Sequence, residues 1–175
     1  TRDKLAALSE RFCGHLDQLN YVGAKHFLRQ TKRKLDRYKG DFQQAADKHQ
    51  FDWRLLAAMG YQESHWNPDA KSFTGVRGLM MLTRNTAKEL GIKNRLDAKQ
   101  SIAGGGLYLA KLRKRIGAEV TEPDRTWMAL AANNVGLGHL RDARKLTKEM
   151  GGNPNLWLDV TDTLPQLTQK RYYRH

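Results

Sequence analysis

The chain has one cysteine, Cys13, and four prolines among 175 residues. A lone thiol excludes an intramolecular disulfide framework and a cysteine-based zinc cluster, and it fits an oxidising or a reducing compartment equally. No window approaches the roughly 18 consecutive apolar residues that a membrane-spanning helix needs, and the mean hydropathy is −0.73. Thr1-Arg2-Asp3-Lys4 leads into no continuous apolar stretch, so no signal peptide is expected within these residues. Acidic residues are few: 18 Asp and Glu stand against 31 Lys and Arg, a net charge of +13. That excess points to an anionic partner, whether nucleic acid, an acidic membrane surface or an anionic wall polymer. At 39% apolar residues the composition supports a genuine core, and the length fits one domain plus a connecting segment.

Scarce proline and little strand-like alternation leave a helical period through most of the chain. Leu5, Leu8, Phe12, Leu16 and Leu19 form one apolar stripe, interrupted at Asn20–Gly23 and followed by the basic run Lys32–Lys39. Gly40-Asp41 is expected to break the chain and cap a short helix, which divides it into a helical linker, 1–40, and a main domain, 41–175. Within that domain Asp52 is expected to cap a helix that Asn67-Pro68 stops. Residues 68–82, with Gly75 and Gly78, read as a structured loop, and Thr83 as the cap of a short helix ending at Gly91. Asp97 and Gln100 resemble a capping box. Further helices are expected after Pro123, from about Gly138 to Met150, and around Trp157, Val160 and Leu164. The fold class is all-α, with one Gly-rich loop.

Leu56, Met59 and Glu63 share a helix face, so Glu63 continues an apolar stripe. A carboxyl so placed either enters a cleft, where desolvation raises its pKa and suits a general acid, or turns outward at the helix end. The loop Ser72–Met81 either approaches a ligand through its glycines and lines an apolar groove with Leu79, Met80 and Met81, or is a tight turn whose methionines fill the core. Leu130–Gly136, with Asn133 and Asn134, suits amide or hydroxyl recognition, or is a plain helix C-cap. Gly104-Gly105-Gly106 inside a helix costs roughly 1 kcal/mol per residue relative to Ala and implies close helix packing or a backbone face kept clear for a ligand. No HExxH pair or histidine cluster occurs, and no metal or other cofactor is expected.

Glu63-Ser64, then Ser72, then Gly78-Leu79-Met80, then Ala132-Asn133-Asn134-Val135-Gly136 resemble, in order and spacing, the lytic transglycosylase domain. Tyr61–Trp66 and Thr74–Thr83 are most similar to that family's membrane-bound F-type. The resemblance covers about residues 41–172 and implies a goose-type lysozyme-like fold. It implies non-hydrolytic cleavage of the MurNAc-β-1,4-GlcNAc bond of peptidoglycan to 1,6-anhydro ends, with Glu63 as the single acid and base. It implies substrate contacts by Ser64, Ser72, Gly78, Leu79, Met80, Met81, Asn133 and Asn134. It further implies a periplasmic, outer-membrane-associated enzyme that acts on glycan strands and muropeptides, and an upstream solute-binding-like regulatory domain joined through residues 1–40. Three departures stand out. Met81 follows Gly-Leu-Met where the broader family has Gln. Asn133 precedes the motif Asn134 where the family has Tyr. The family also continues with closing helices, so the domain is expected to be cut short at its C-terminal end. Alternative functions are a lysozyme-type hydrolase, a weakly active glycan-binding module or a basic nucleic-acid-binding helical module. For the last no recognition motif is present, so no nucleic-acid partner is expected.

Overall fold

The computed structural model describes residues 21–164, so the stripe from Leu5 to Leu19, Cys13 and the residues from Pro165 onward lie outside the description. Among the described residues the elements are α1 (Tyr21–Gln30), a π-helical turn (Thr31–Leu35), α2 (Asp36–His49), α3 (Trp53–Ser64), α4 (Arg84–Glu89), α5 (Ala98–Ile116), α6 (Asp124–Val135), α7 (Leu137–Glu149) and α8 (Trp157–Thr161). Pairing between extended residues is limited to two isolated antiparallel bridges, Lys71 with Arg77 and Arg77 with Leu82. The all-α expectation holds, as does the structured loop.

Several helices start where a short polar side chain closes the first turn. Asp52 accepts from the Arg54 amide at 2.9 Å, Thr83 from Thr86 at 2.9 Å and Asp97 from Gln100 at 2.8 Å. Only half of the expected capping box forms: the Gln100 carboxamide turns to the Lys93 and Asn94 amides, both at 3.1 Å, and so ties the preceding loop to α5.

Two helix boundaries differ from expectation. Gly40-Asp41 breaks nothing, since α2 runs from Asp36 to His49. Tyr38, Phe42, Ala45 and Ala46 are buried together on one face, and that burial outweighs the propensity cost of one exposed glycine. The same helix therefore crosses residues 40–41, and Tyr38 shares a core with Phe42. At the other end of α3 the helix stops at Ser64, before Asn67-Pro68. His65 and Trp66 take left-handed backbone (φ 51° and 54°), and their amides return to the Tyr61 and Gly60 carbonyls.

α5 is the central helix and packs against α2, α3 and α6. Its glycine triplet resolves in favour of close packing: a Cβ on Gly104 would press on Leu82 and Ile92, on Gly105 on Met80, and on Gly106 on Leu56 and Ala45. The core is built from Phe42, Leu56, Trp66, Leu79, Ile102, Leu109 and Met128, all at most 1% exposed. Each side chain of this size contributes about 1.5–3 kcal/mol. The Trp66 indole N–H donates to the Ala57 carbonyl at 2.8 Å, so its burial leaves no polar atom unpaired.

Candidate active site

α3 has two faces. Leu56, Ala57 and Gly60 are buried. Leu55, Ala58, Met59, Gln62 and Glu63, which repeat at the spacing of one helix side, form one wall of a cleft of about 400 Å³. Leu130, Asn133 and Asn134 of α6 form the facing wall. The stripe Leu56–Met59–Glu63 thus runs from core to cleft edge: Leu56 is buried, while Met59 and Glu63 are half-buried.

Glu63 is the only acid among the residues lining this cleft. Removal from water holds its carboxyl above the ordinary glutamate range, and a hydrogen bond from Asn133 partly offsets that rise. The Asn133 amide nitrogen donates to Glu63 Oε1 at 3.4 Å, near the outer limit of such a bond. The Asn133 amide, the departure from the family pattern noted above, therefore reaches the carboxylate itself. Asp69, the next acid in sequence, is exposed and outside the cleft lining.

The other residues expected at the site lie around and beneath it. Ser64 Oγ donates to the Leu79 carbonyl at 2.7 Å and accepts from the Asn67 amide at 3.1 Å, joining the end of α3 to the loop. Ser72 makes no hydrogen bond to Glu63; its hydroxyl pairs with Thr74 Oγ1 at 2.8 Å and accepts from the Val76 amide at 3.3 Å. Gly78 has φ 84°, and a Cβ there would collide with the Arg95 carbonyl, so no other residue fits without rebuilding the loop. Leu79 and Met80 are 0% and 4% exposed. Their side chains fill the core instead of lining an apolar groove, because Gly60 and Gly105 open room for Met80 between α3 and α5. Met81 is half-buried with φ 46°. Asn134 is exposed at the cleft.

Several positioning residues belong to no motif in the sequence. The Arg95 guanidinium donates through Nη1 to the carbonyls of Leu82 (2.8 Å) and Gly75 (3.1 Å), closing the loop from outside. Ser101, fully buried, accepts from the Met80 amide at 3.0 Å and holds the loop from inside. Gln62, Leu55, Ala58 and Leu130 belong to the cleft by helical spacing, a signal that was available from Glu63 and Asn133. Among the described residues no group of three or more His, Cys, Asp or Glu side chains converges, and no helix is long and apolar enough to cross a membrane.

Comparison with known proteins identifies the family. Residues 41–155 match the model of the transglycosylase SLT domain. The chain is 57% identical over 169 residues to membrane-bound lytic murein transglycosylase F of Hahella chejuensis, covering 97% of this chain and 33% of that protein. It is 56% identical to the proteins of that name from Marinobacter nauticus and Stutzerimonas stutzeri, again over 97% of this chain and 34% and 35% of theirs. The chain therefore spans about a third of the length of the curated relatives it matches. A lysozyme-like helical domain with its carboxyl in this cleft, matched over residues 41–155, belongs to the transglycosylase SLT domain family.

Proposed function

We propose that this domain cleaves the MurNAc-β-1,4-GlcNAc bond of peptidoglycan without water, and that Glu63 performs both proton transfers. The observation that carries this reading is a single half-buried carboxyl, raised in pKa and held by an amide, in a cleft whose lining holds no second acid. A carboxyl kept protonated near neutral pH can donate to the glycosidic oxygen. The bond between that oxygen and C1 of the muramoyl residue then breaks, and the GlcNAc side leaves as an alcohol. Glu63, now a carboxylate, takes the proton of the muramoyl C6 hydroxyl. O6 closes on C1 to give the 1,6-anhydro ring, and Glu63 returns to its starting state. A two-carboxylate hydrolase would require a second acid at a defined separation across the bond; an internal hydroxyl nucleophile does not.

In this proposal Asn133 orients Glu63, while Gln62 and Asn134 face the sugar amide and hydroxyl groups. Ser72 and the backbone of Gly78–Met81 border the substrate, and Ser64 fixes the loop that carries them. The catalytic domain includes all of α2 and its buried Tyr38, so the segment that joins it to an upstream solute-binding-like domain lies before Asp36. The relatives' names place them at a membrane in murein metabolism, which supports a periplasmic, outer-membrane-associated site of action. The test is mass spectrometry of purified peptidoglycan digested by the chain. Products lighter by one water than the corresponding hydrolysis products support the proposal. Reducing ends alone would assign a lysozyme-type hydrolase, and intact glycan a binding module.

A further inference from the structure

Away from the cleft, a second concave surface of about 380 Å³ is lined by Arg77, Arg84, Lys88, Lys93 and Arg95 and by no acid. Several cations elsewhere pair with acids: Arg54 with Asp52, Lys111 with Glu89, Arg125 with Glu122 and Arg144 with Glu119. Among the described residues, none of the five lining cations forms an ion pair. Arg95 is fixed by its bonds to Gly75 and Leu82. Burial and the neighbouring charges of Arg77 and Arg84 hold its guanidinium below its ordinary range. Like charges gathered on one concavity without an acid cost free energy unless an anion relieves them.

An aromatic residue stands beside this surface. The turn Lys71–Arg77 closes through the Ser72 amide to the Val76 carbonyl and the Gly75 amide to the Ser72 carbonyl, both at 3.1 Å. Lys71 and Arg77 sit at its base, and its apex carries Phe73, whose relative accessibility is 106%. A ring held fully in water on a hydrogen-bonded turn, next to uncompensated cations, matches the residue pairing of interfacial membrane contacts: phosphate headgroups meet Lys and Arg while an aromatic enters the headgroup–acyl boundary.

We propose that the basic concavity of Arg77, Arg84, Lys88, Lys93 and Arg95, with Phe73 on the turn that carries Arg77, is a docking face for an anionic phospholipid bilayer. Charge complementarity selects an anionic surface, and the projecting ring favours a bilayer over a small soluble anion. The contact is peripheral and salt-sensitive. The lining of this concavity shares no residue with that of the cleft, and the docking does not depend on the reaction proposed above.

The test is sedimentation of the chain with vesicles of phosphatidylcholine alone and of phosphatidylcholine with roughly one third phosphatidylglycerol, at about 0.1 M salt. Binding is expected only to the anionic vesicles. Arg84→Glu/Lys93→Glu should weaken it at least about tenfold, and Phe73→Ser roughly fivefold. Both variants should keep the wild-type melting curve: Arg84 opens α4, where an acid is compatible with the helix dipole, and Phe73 makes no buried contact. Equal binding to neutral vesicles, or unchanged binding by both variants, overturns the proposal. So does loss of binding to millimolar inorganic phosphate at constant ionic strength, which would assign a small-anion site. Tighter binding to a short DNA duplex than to anionic vesicles overturns it as well and assigns a nucleic-acid surface.

Discussion

The two faces of α3 are made of similar small and apolar residues, yet one is closed and the other open. On the closed face a Cβ on Gly60 would stand 3.0 Å from Leu79 Cδ2, 3.1 Å from Met80 Sδ and 3.1 Å from the Phe42 ring. On the open face Ala58, Met59, Gln62 and Glu63 line the cleft opposite Leu130, Asn133 and Asn134 of α6. Close packing on one side fixes where the helix sits, and the other side can then hold a carboxyl at partial burial, out of reach of any counter-charge lining the cleft. Rigidity and chemistry are separated by half a helix turn.

Replacing the open face's one ionisable group should have the largest effect. Glu63→Gln is expected to lower peptidoglycan cleavage by about 10²–10⁴-fold while circular dichroism and the melting curve stay near wild type; a variant that kept normal turnover would remove Glu63 from the mechanism. The two faces should then differ in what they tolerate. Gly60→Ala is expected to cost about 1–3 kcal/mol in urea denaturation through overpacking, and Ala58→Ser, across the helix, less than about 0.5 kcal/mol. Equal costs would mean that the closed face is no more tightly packed than the open one.

Asn133→Ala tests the contact between the two walls. Rate should fall by about tenfold, the effect of losing one hydrogen bond to a charged group. The alkaline limb of the pH–rate profile should move upward, since the amide bond lowers the Glu63 pKa and its loss leaves desolvation unopposed. A limb that moved downward would reverse the role assigned to the amide. The smallest effect is on stability. Because the folded-state pKa of Glu63 is raised, the native chain keeps its proton at pH values where the unfolded chain has released it. Wild type should therefore lose stability relative to Glu63→Gln as pH rises above the ordinary glutamate value of 4.5 and stop losing it above the raised pKa. Denaturant midpoints of both proteins across that range measure the difference, which half-exposure keeps small.

Much of the scaffold was legible in the sequence because its signals are local. Asp52, Thr83 and Asp97 cap helices through side-chain bonds two or three residues away, and the all-α class follows from periodicity and few prolines. Gly40 misled because its cost is local, whereas the burial of Tyr38 and Phe42 that overrides it comes from α2 packing against α5. The cleft was half legible. Glu63 and Asn133 are 70 residues apart, yet helical spacing and motif order indicated both. For Leu79 and Met80 the sequence left groove and core open as alternatives, because the space they fill is made by Gly60 and Gly105 on two other helices. The loop's two fastenings, Arg95 and Ser101, were not legible, since each acts across the fold on a backbone group that carries no sequence signature.

The most direct test of the account is a carbon-detected NMR titration of the Glu63 side-chain carboxyl, assigned by its absence in Glu63→Gln. The account predicts a midpoint above 4.5 in the wild-type chain and a higher one in Asn133→Ala. A wild-type midpoint at or below 4.5 would contradict it, because the cleft would then hold an ordinary solvated carboxylate and no acid poised to protonate a glycosidic oxygen.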